Sequence, residues 1–227
     1  MSPTFNSSLV NAKIVLLRKL LEDESRYDEA KALLLQVHAW LHTREMAGTE
    51  SWSYQDTVLD GLTSAQMREI PVDECHSIAW LLWHTTRCED LTMNLLVAGS
   101  AQVLLAEGWQ ERLNISRRDT GNAMSPGEII DFSQEIDIPE LLGYRKAVGK
   151  STHVVILALS KEMVHRKVAP SGIKRIFDEG GVVEAESGVA DYWSKRDFAG
   201  LFLMPATRHL LTHLNEVLDI KRKLVKR

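Results

Sequence analysis

Little in this 227-residue chain is extreme, and its shortages are the first guide. Two cysteines cannot build a disulfide framework, which excludes the small secreted scaffolds that depend on one. Neither sign of charge is in excess: 27 Lys and Arg stand against 31 Asp and Glu, a net −4. That balance gives no electrostatic footprint for nucleic acid, so no nucleic-acid partner is expected. The longest uncharged stretch, Leu91 to Ala106, is interrupted by Asn94, Gly99, Ser100 and Gln102. It falls short of the ~20 apolar residues a spanning helix needs. The opening MSPTFNSSLVNAK lacks the basic-then-apolar order of a signal peptide, so a cytoplasmic protein with no membrane partner is expected. No phosphate-cradling glycine loop, Gly-x-Ser-x-Gly elbow or dinucleotide fingerprint is present, which disfavours nucleotide cofactors and serine-hydrolase chemistry. Strand signals are equally sparse. The best, Gly181-Val182-Val183-Glu184, is short.

What is present is helical periodicity. Residues 8–23 place Val10, Ile14, Leu17, Leu20 and Leu21 on one stripe, and residues 27–47 place Ala30, Leu33, Leu34, Val37, Trp40 and Leu41 on a second. A looser stretch, 48–72, contains Gly48, Ser51, Ser53, Gly61 and Pro71, with a short helix at 63–69 capped by Thr63. A long helix is expected from Asp73 to about Ala98, closed by Gly99. Ser125-Pro126-Gly127-Glu128 reads as a capping box. Asp137-Ile138-Pro139-Glu140 opens another long helix, to roughly Val168, which Pro170-Ser171-Gly172 breaks. Residues 172–198 read as mixed. The last helix runs from near Pro205 to Lys223 and ends in a basic tail of Lys221, Arg222, Lys223, Lys226 and Arg227, suited to the negative end of a helix dipole. The expected fold is all-α and single-domain over 1–227: a four-helix bundle with long connections and an additional N-terminal helix within 1–26.

Eight histidines carry the chemistry. His209 and His213 lie one helical turn apart, so both project from one side and can close on a metal. At ~100° per residue they share a seam with Glu216 and Ile220, beside the apolar arc of Leu210, Leu211, Leu214, Val217 and Leu218. Glu216, two turns after His209, can orient a ligand imidazole or serve as a general base, or it is a solvated carboxylate. His38 and His42 repeat the same spacing, and spacing does not choose between the pairs. On the 73–98 helix His84 points into the middle of an apolar arc with Trp80, Leu81, Cys88, Leu91 and Leu95. A histidine aimed at a core needs partners for its ring nitrogens, as ligands or as hydrogen bonds. Cys88, one turn beyond, reads as a small buried hydrophobe or a thiolate ligand. Arg87 reads as a steering charge for an anion or as a helix-flank residue.

The run SIAWLLWHTTRCED followed far downstream by MPATRHLLTHLNE resembles the DinB-like (DinB/YfiT) superfamily of metal-binding four-helix bundles, as does GWQERL at 108–113. The resemblance spans most of the chain from about residue 27. It implies that His84, His209 and His213 form a metal triad, open to a further ligand, and that the metal is a divalent transition ion, zinc or nickel first and iron next. It leaves His38, His42, His76, His153 and His165 without a ligand position, in surface or helix-flank roles. It also implies a metal-dependent enzyme of the thiol-dependent transferase or hydrolase type, for which Glu216, by its place on the histidine seam, is the candidate catalytic carboxylate. The substrate would be a small molecule, such as a low-molecular-weight thiol, and the protein a homodimer, with the N-terminal helix the first candidate interface. The alternative is a non-catalytic metal-binding or regulatory bundle. Segments 107–124 and 169–198 are expected to shape the mouth of the pocket.

Overall fold

The computed structural model describes residues 6–48 and 52–225, and every regular element among them is a helix. Ser51, Lys226 and Arg227 lie outside the described residues. The Gly181–Glu184 segment forms no strand: it turns into a 3-10 turn over Glu184–Glu186. An isolated bridge between Lys167 and Asp197 is the nearest thing to a sheet among the described residues.

Side-chain caps fix most helix starts. Helix α1 (Ser7–Leu21) begins at Asn6, whose side chain accepts from the Leu9 N–H, and it buries the expected stripe. Helix α2 (Tyr27–Leu41) stops at His42, short of the expected residue 47, because Thr43 caps a separate turn at Arg44–Ala47. The box at Thr63 closes with Gln66 and opens a helix at Ser64–Arg68. Helix α3 (Ile78–Asp90) starts at Ser77 rather than Asp73, the Ser77 hydroxyl accepting from the Trp80 N–H at 3.0 Å. Cys75 is therefore ahead of this helix and exposed, while Cys88 is buried inside it. Wider π-helical turns over Leu91–Ala98 continue α3 to Gly99.

Helices α4 (Pro126–Glu135) and α5 (Ile138–Ala158) start at the caps Ser125 and Asp137. Helix α5 ends well before the expected Val168. Its last carbonyls are taken from across the molecule: Lys31 Nζ donates to Leu157 O at 2.7 Å and Leu159 O at 2.9 Å, and the Tyr27 hydroxyl donates to Leu159 O. Pro170, expected to break a helix, instead sits at the start of α6 (Pro170–Asp178). Helices α7 (Ser187–Ser194) and α8 (Phe198–Leu203) fill the segment that reads as mixed. A π-helical turn at Met204–Arg208 then leads into α9 (His209–Val225).

Helix α3 packs against both α5 and α9, α5 packs against α2, and α1 packs against α2, α8 and α9. So enclosed is α3 that all of its residues are buried, Arg87, Glu89 and Asp90 included. The apolar stripe of α1 is buried inside this core, and Val15 on its outer side is exposed. Arg87 takes neither expected role. Its guanidinium donates to Asp90 and the Tyr144 hydroxyl at 3.0 Å, to Gln102 at 2.7 Å and to the Arg118 carbonyl at 2.7 Å. It ties α3 and α5 to the loop that follows. The GWQERL segment also buttresses α5: Arg112 covers the buried Trp109 ring at 3.6 Å and pairs with Glu140 at 2.6 Å. No described helix is long and apolar enough to cross a membrane.

Candidate metal centre

The fold brings His84 of α3 to His209 and His213 of α9. His209 Nε2 lies 3.1 Å from His84 Nε2 and 3.1 Å from His213 Nε2, and the three ring centroids stand 4.5 to 5.1 Å apart. Each outer ring nitrogen then decides what the inner one can offer. His84 Nδ1 is 2.8 Å from the Thr120 carbonyl, an acceptor only, so the proton sits on Nδ1 and Nε2 presents a lone pair. His213 Nδ1 donates to Glu216 Oε2 at 2.9 Å, with the same result. Two lone pairs thus face one nitrogen of His209, which can donate a proton to only one of them. A cation relieves that convergence, and three neutral imidazoles suit zinc, nickel or iron. His209 Nδ1 is buried without a hydrogen-bond partner. Burial lowers the pKa of His84 to about 4 and that of His209 well below the usual histidine range, so both are neutral at physiological pH. The hydrogen bond from His213 holds Glu216 below the usual carboxylate range.

Local structure holds these atoms in place. The Trp80 ring lies flat between His76 and His84, with centroids 3.9 and 4.8 Å away. Gly121 makes room for it: φ is +82°, and a Cβ there would stand 3.0 Å from Trp80 Nε1. The Thr120 carbonyl is fixed by its own loop. The Thr120 hydroxyl donates to Glu186 at 2.6 Å, the Ala123 N–H donates to Glu186 at 3.0 Å, and the Gly121 N–H donates to Asp119 at 2.8 Å. Thr120 and Glu186 are positioning groups that no periodicity or spacing in the sequence marks, whereas Trp80 lies one helical turn before His84 on the expected arc.

Two cavities meet at the histidines. One, of about 680 Å³, is lined by His84, His209, His213 and Glu216 together with Asp73, His76 and Asn122. The other, of about 230 Å³, shares His84, Asn122 and His209 and is otherwise walled by Cys88, Val189, Tyr192, Trp193, Met204 and Pro205. Segments 107–124 and 169–198 thus both contribute walls, as expected. Cys88 Sγ lies within 4.8 Å of the ligand atoms of His84 and His209, and burial pushes its thiol well above the usual range.

A model of the DinB superfamily matches residues 47–216. The chain belongs to the DinB superfamily. A crystal structure titled as a conserved protein of locus from Enterococcus faecalis shares its fold, with a TM-score of 0.58 at 16% identity, covering 85% of this chain and 97% of that one. No curated protein matches. In this DinB protein a second set converges: His38, His42 and Glu89, all fully buried, with ligand atoms within 4.8 Å of one another. This corrects the surface or helix-flank role expected of His38 and His42, since neither periodicity nor spacing reveals that Glu89 of α3 faces them. Of the other histidines, His76 lines the larger cavity, His153 is half-buried, and His165 is exposed beside Asp197 at 3.4 Å.

Proposed function

We propose that this DinB protein is a metal-dependent enzyme of the thiol-dependent transferase or hydrolase type. His84, His209 and His213 would hold a divalent transition metal, zinc or nickel first and iron next. The observation that carries this reading is the convergence of three imidazoles at the junction of two cavities, with the outer nitrogens of His84 and His213 occupied. A bound ion of this kind supplies Lewis acidity, lowering the pKa of a thiol or water that it contacts. The chain's own groups do the rest. The Thr120 carbonyl and Glu216 fix the tautomers and ring orientations of His84 and His213. Glu216 also lines the larger cavity, where a general base would stand to receive a proton. Trp80 keeps the His84 ring from turning. We read α2, α3, α5 and α9 as the four helices of a single DinB-like bundle domain, with residues 1–26 as its extension.

One observation favours a second, non-catalytic reading. Cys88 stands close enough to His84 and His209 to complete a closed four-donor site, which is the pattern of structural metal. The two readings separate experimentally. Protein loaded with zinc or nickel is expected to turn over in a panel of thiol–electrophile pairs or hydrolysable esters, and the His209→Ala variant is not. Cobalt-loaded protein is expected to give the same absorption spectrum with Cys88→Ala as without it. Stoichiometrically loaded protein that is inactive across both panels, with a thiolate-to-cobalt band lost in Cys88→Ala, would establish the structural reading instead.

A further inference from the structure

The smaller cavity differs in chemistry from the larger one. Its polar lining is confined to the end it shares with the histidines: His84, His209 and Asn122. The remaining wall is Cys88, Val189, Tyr192, Trp193, Met204 and Pro205. Cys88 is buried in that wall, where its sulfur presents a soft, polarizable surface. Trp193 and Pro205 are buried, and Tyr192 forms an outer lip with the Arg196 guanidinium 4.1 Å from its ring centroid.

One irregularity builds both this wall and a candidate ligand. Pro205 has no N–H to continue the helix from α8, and the backbone widens into the π-helical turn Met204–Arg208. The Thr207 hydroxyl donates to the Phe202 carbonyl at 2.9 Å and the Leu203 carbonyl at 3.0 Å, which braces the widened turn against α8. His209 follows directly. Anything seated against Met204 and Pro205 is therefore registered to His209 by a single rigid turn.

We propose that this cavity is the subsite for an uncharged, ring-sized apolar group of the substrate, its reactive atom held at the His84–His209 edge. Size supports one ring. An apolar cavity of ~150 Å³ accommodates benzene, so about 230 Å³ takes a six-membered ring and a few further atoms. Composition supports an uncharged one, because a charged group among these walls would be desolvated without a partner. Trp193, Tyr192 and Met204 supply the aromatic and thioether faces that aryl groups pack against. The substrate's polar remainder lies toward the larger cavity, past Asn122. This deepens the proposed function and rests on it for the reaction, although binding of the ring does not require the metal.

The test uses benzyl alcohol as probe, titrated into the full-length protein and followed by ligand-observed NMR, with benzoate and benzylamine as charged analogues. Benzyl alcohol is expected to bind saturably with a Kd in the millimolar range or tighter, and both charged analogues more weakly. Val189→Trp and, independently, Met204→Trp are designed to fill the cavity. Each folded variant is expected to weaken binding at least about tenfold. His213→Ala, which lies outside this cavity, is expected to bind the probe as the parent does even when its metal content has fallen. Absence of saturable binding would overturn the proposal, as would unchanged affinity in either filled variant whose melting curve shows it folded. Probe binding by a protein inactive in every metal-loaded assay would sink the enzymatic reading and leave the subsite standing.

Discussion

Two histidine pairs with the same spacing, His38/His42 and His209/His213, meet opposite fates, and the difference lies in where each pair finds its acceptor. At the second pair the acceptor is outside: Glu216 takes the Nδ1 proton of His213, as the Thr120 carbonyl does for His84, and the inner nitrogens are left as lone pairs. At the first pair the acceptor is inside. Glu89 lies 2.7 Å from His38 Nε2 and 3.1 Å from His42 Nε2, so the inner nitrogens carry protons spent on a carboxylate. The outer Nδ1 atoms of His38 and His42 are buried without partners. Metal ligation through Nε2 would force protons onto both atoms with nothing to receive them, at about 1–3 kcal/mol each, and would break both bonds to Glu89; the second site has one such atom, His209 Nδ1, and no carboxylate to displace. Arg145, fully buried and bonded to Gln55, Thr85, Thr86 and the Leu41 carbonyl, already supplies a positive charge near Glu89. The first pair is a closed brace between α2 and α3; the second is an open set of donors.

The largest expected effect comes from removing the inside acceptor. Glu89→Ala leaves two buried imidazole N–H groups and the Arg145 charge without it, and should destabilise the fold by about 3–5 kcal/mol in urea unfolding. Metal content of the folded fraction should not change. If instead the variant unfolds like the parent but loses its metal, the contrast between the pairs is reversed.

Acid should find the closed pair next. Burial depresses the pKa of His42 from 6.5 to about 4, with His38 and Arg145 adding to the effect and Glu89 opposing it. The unfolded chain thus takes a proton near pH 6.5 that the folded chain refuses until about pH 4. Stability should fall as pH drops through that window, by about 3 kcal/mol at most from this group. Denaturant midpoints of chelator-treated protein at pH 7.5 and 5 should show the fall, and His42→Gln should make it shallower, the remainder coming from His84 and His209, whose pKa values burial also lowers. Parallel slopes in parent and variant would remove His42 from the account.

A smaller effect is expected where the acceptor is outside. Glu216→Ala should weaken metal affinity about 10–100-fold in a chelator competition, and Glu216→Gln, which keeps an acceptor oxygen, by less. Neither should move the unfolding midpoint of metal-free protein much, because the Glu216 side chain is nearly half exposed. Equal losses in both variants would mean that charge, rather than orientation of His213, is what Glu216 provides. The smallest is Gly121→Ala, whose positive φ and contact with Trp80 predict about 1 kcal/mol lost in thermal unfolding. An unchanged midpoint would show that the loop beneath His84 yields without cost.

Helix starts are readable in the chain where a capping residue is joined by a proline or a box partner: Thr63, Ser125 and Asp137 each announce one, and each is there, whereas the lone caps Thr43 and Ser77 pass unmarked inside longer periodic runs. Pro170 misleads because Ala169 before it makes no side-chain cap, so proline reads as an end when it is a beginning. The end of α5 is illegible locally, since its carbonyls are closed by Lys31 and Tyr27 from another helix. The candidate site follows the same division. His84 on an apolar arc, and His209 and His213 on a polar seam, are visible as helix geometry. Glu89 facing His38 and His42, and Thr120 facing His84, are tertiary pairings, and these decide which pair is open.

Elemental analysis of purified protein in four single variants tests that contrast most directly. About one divalent transition metal ion per chain is expected in the parent and in folded His38→Ala and His42→Ala. Little or none is expected in His209→Ala and His213→Ala. Metal lost from the His38 or His42 variants and kept in the His209 and His213 variants would contradict the account.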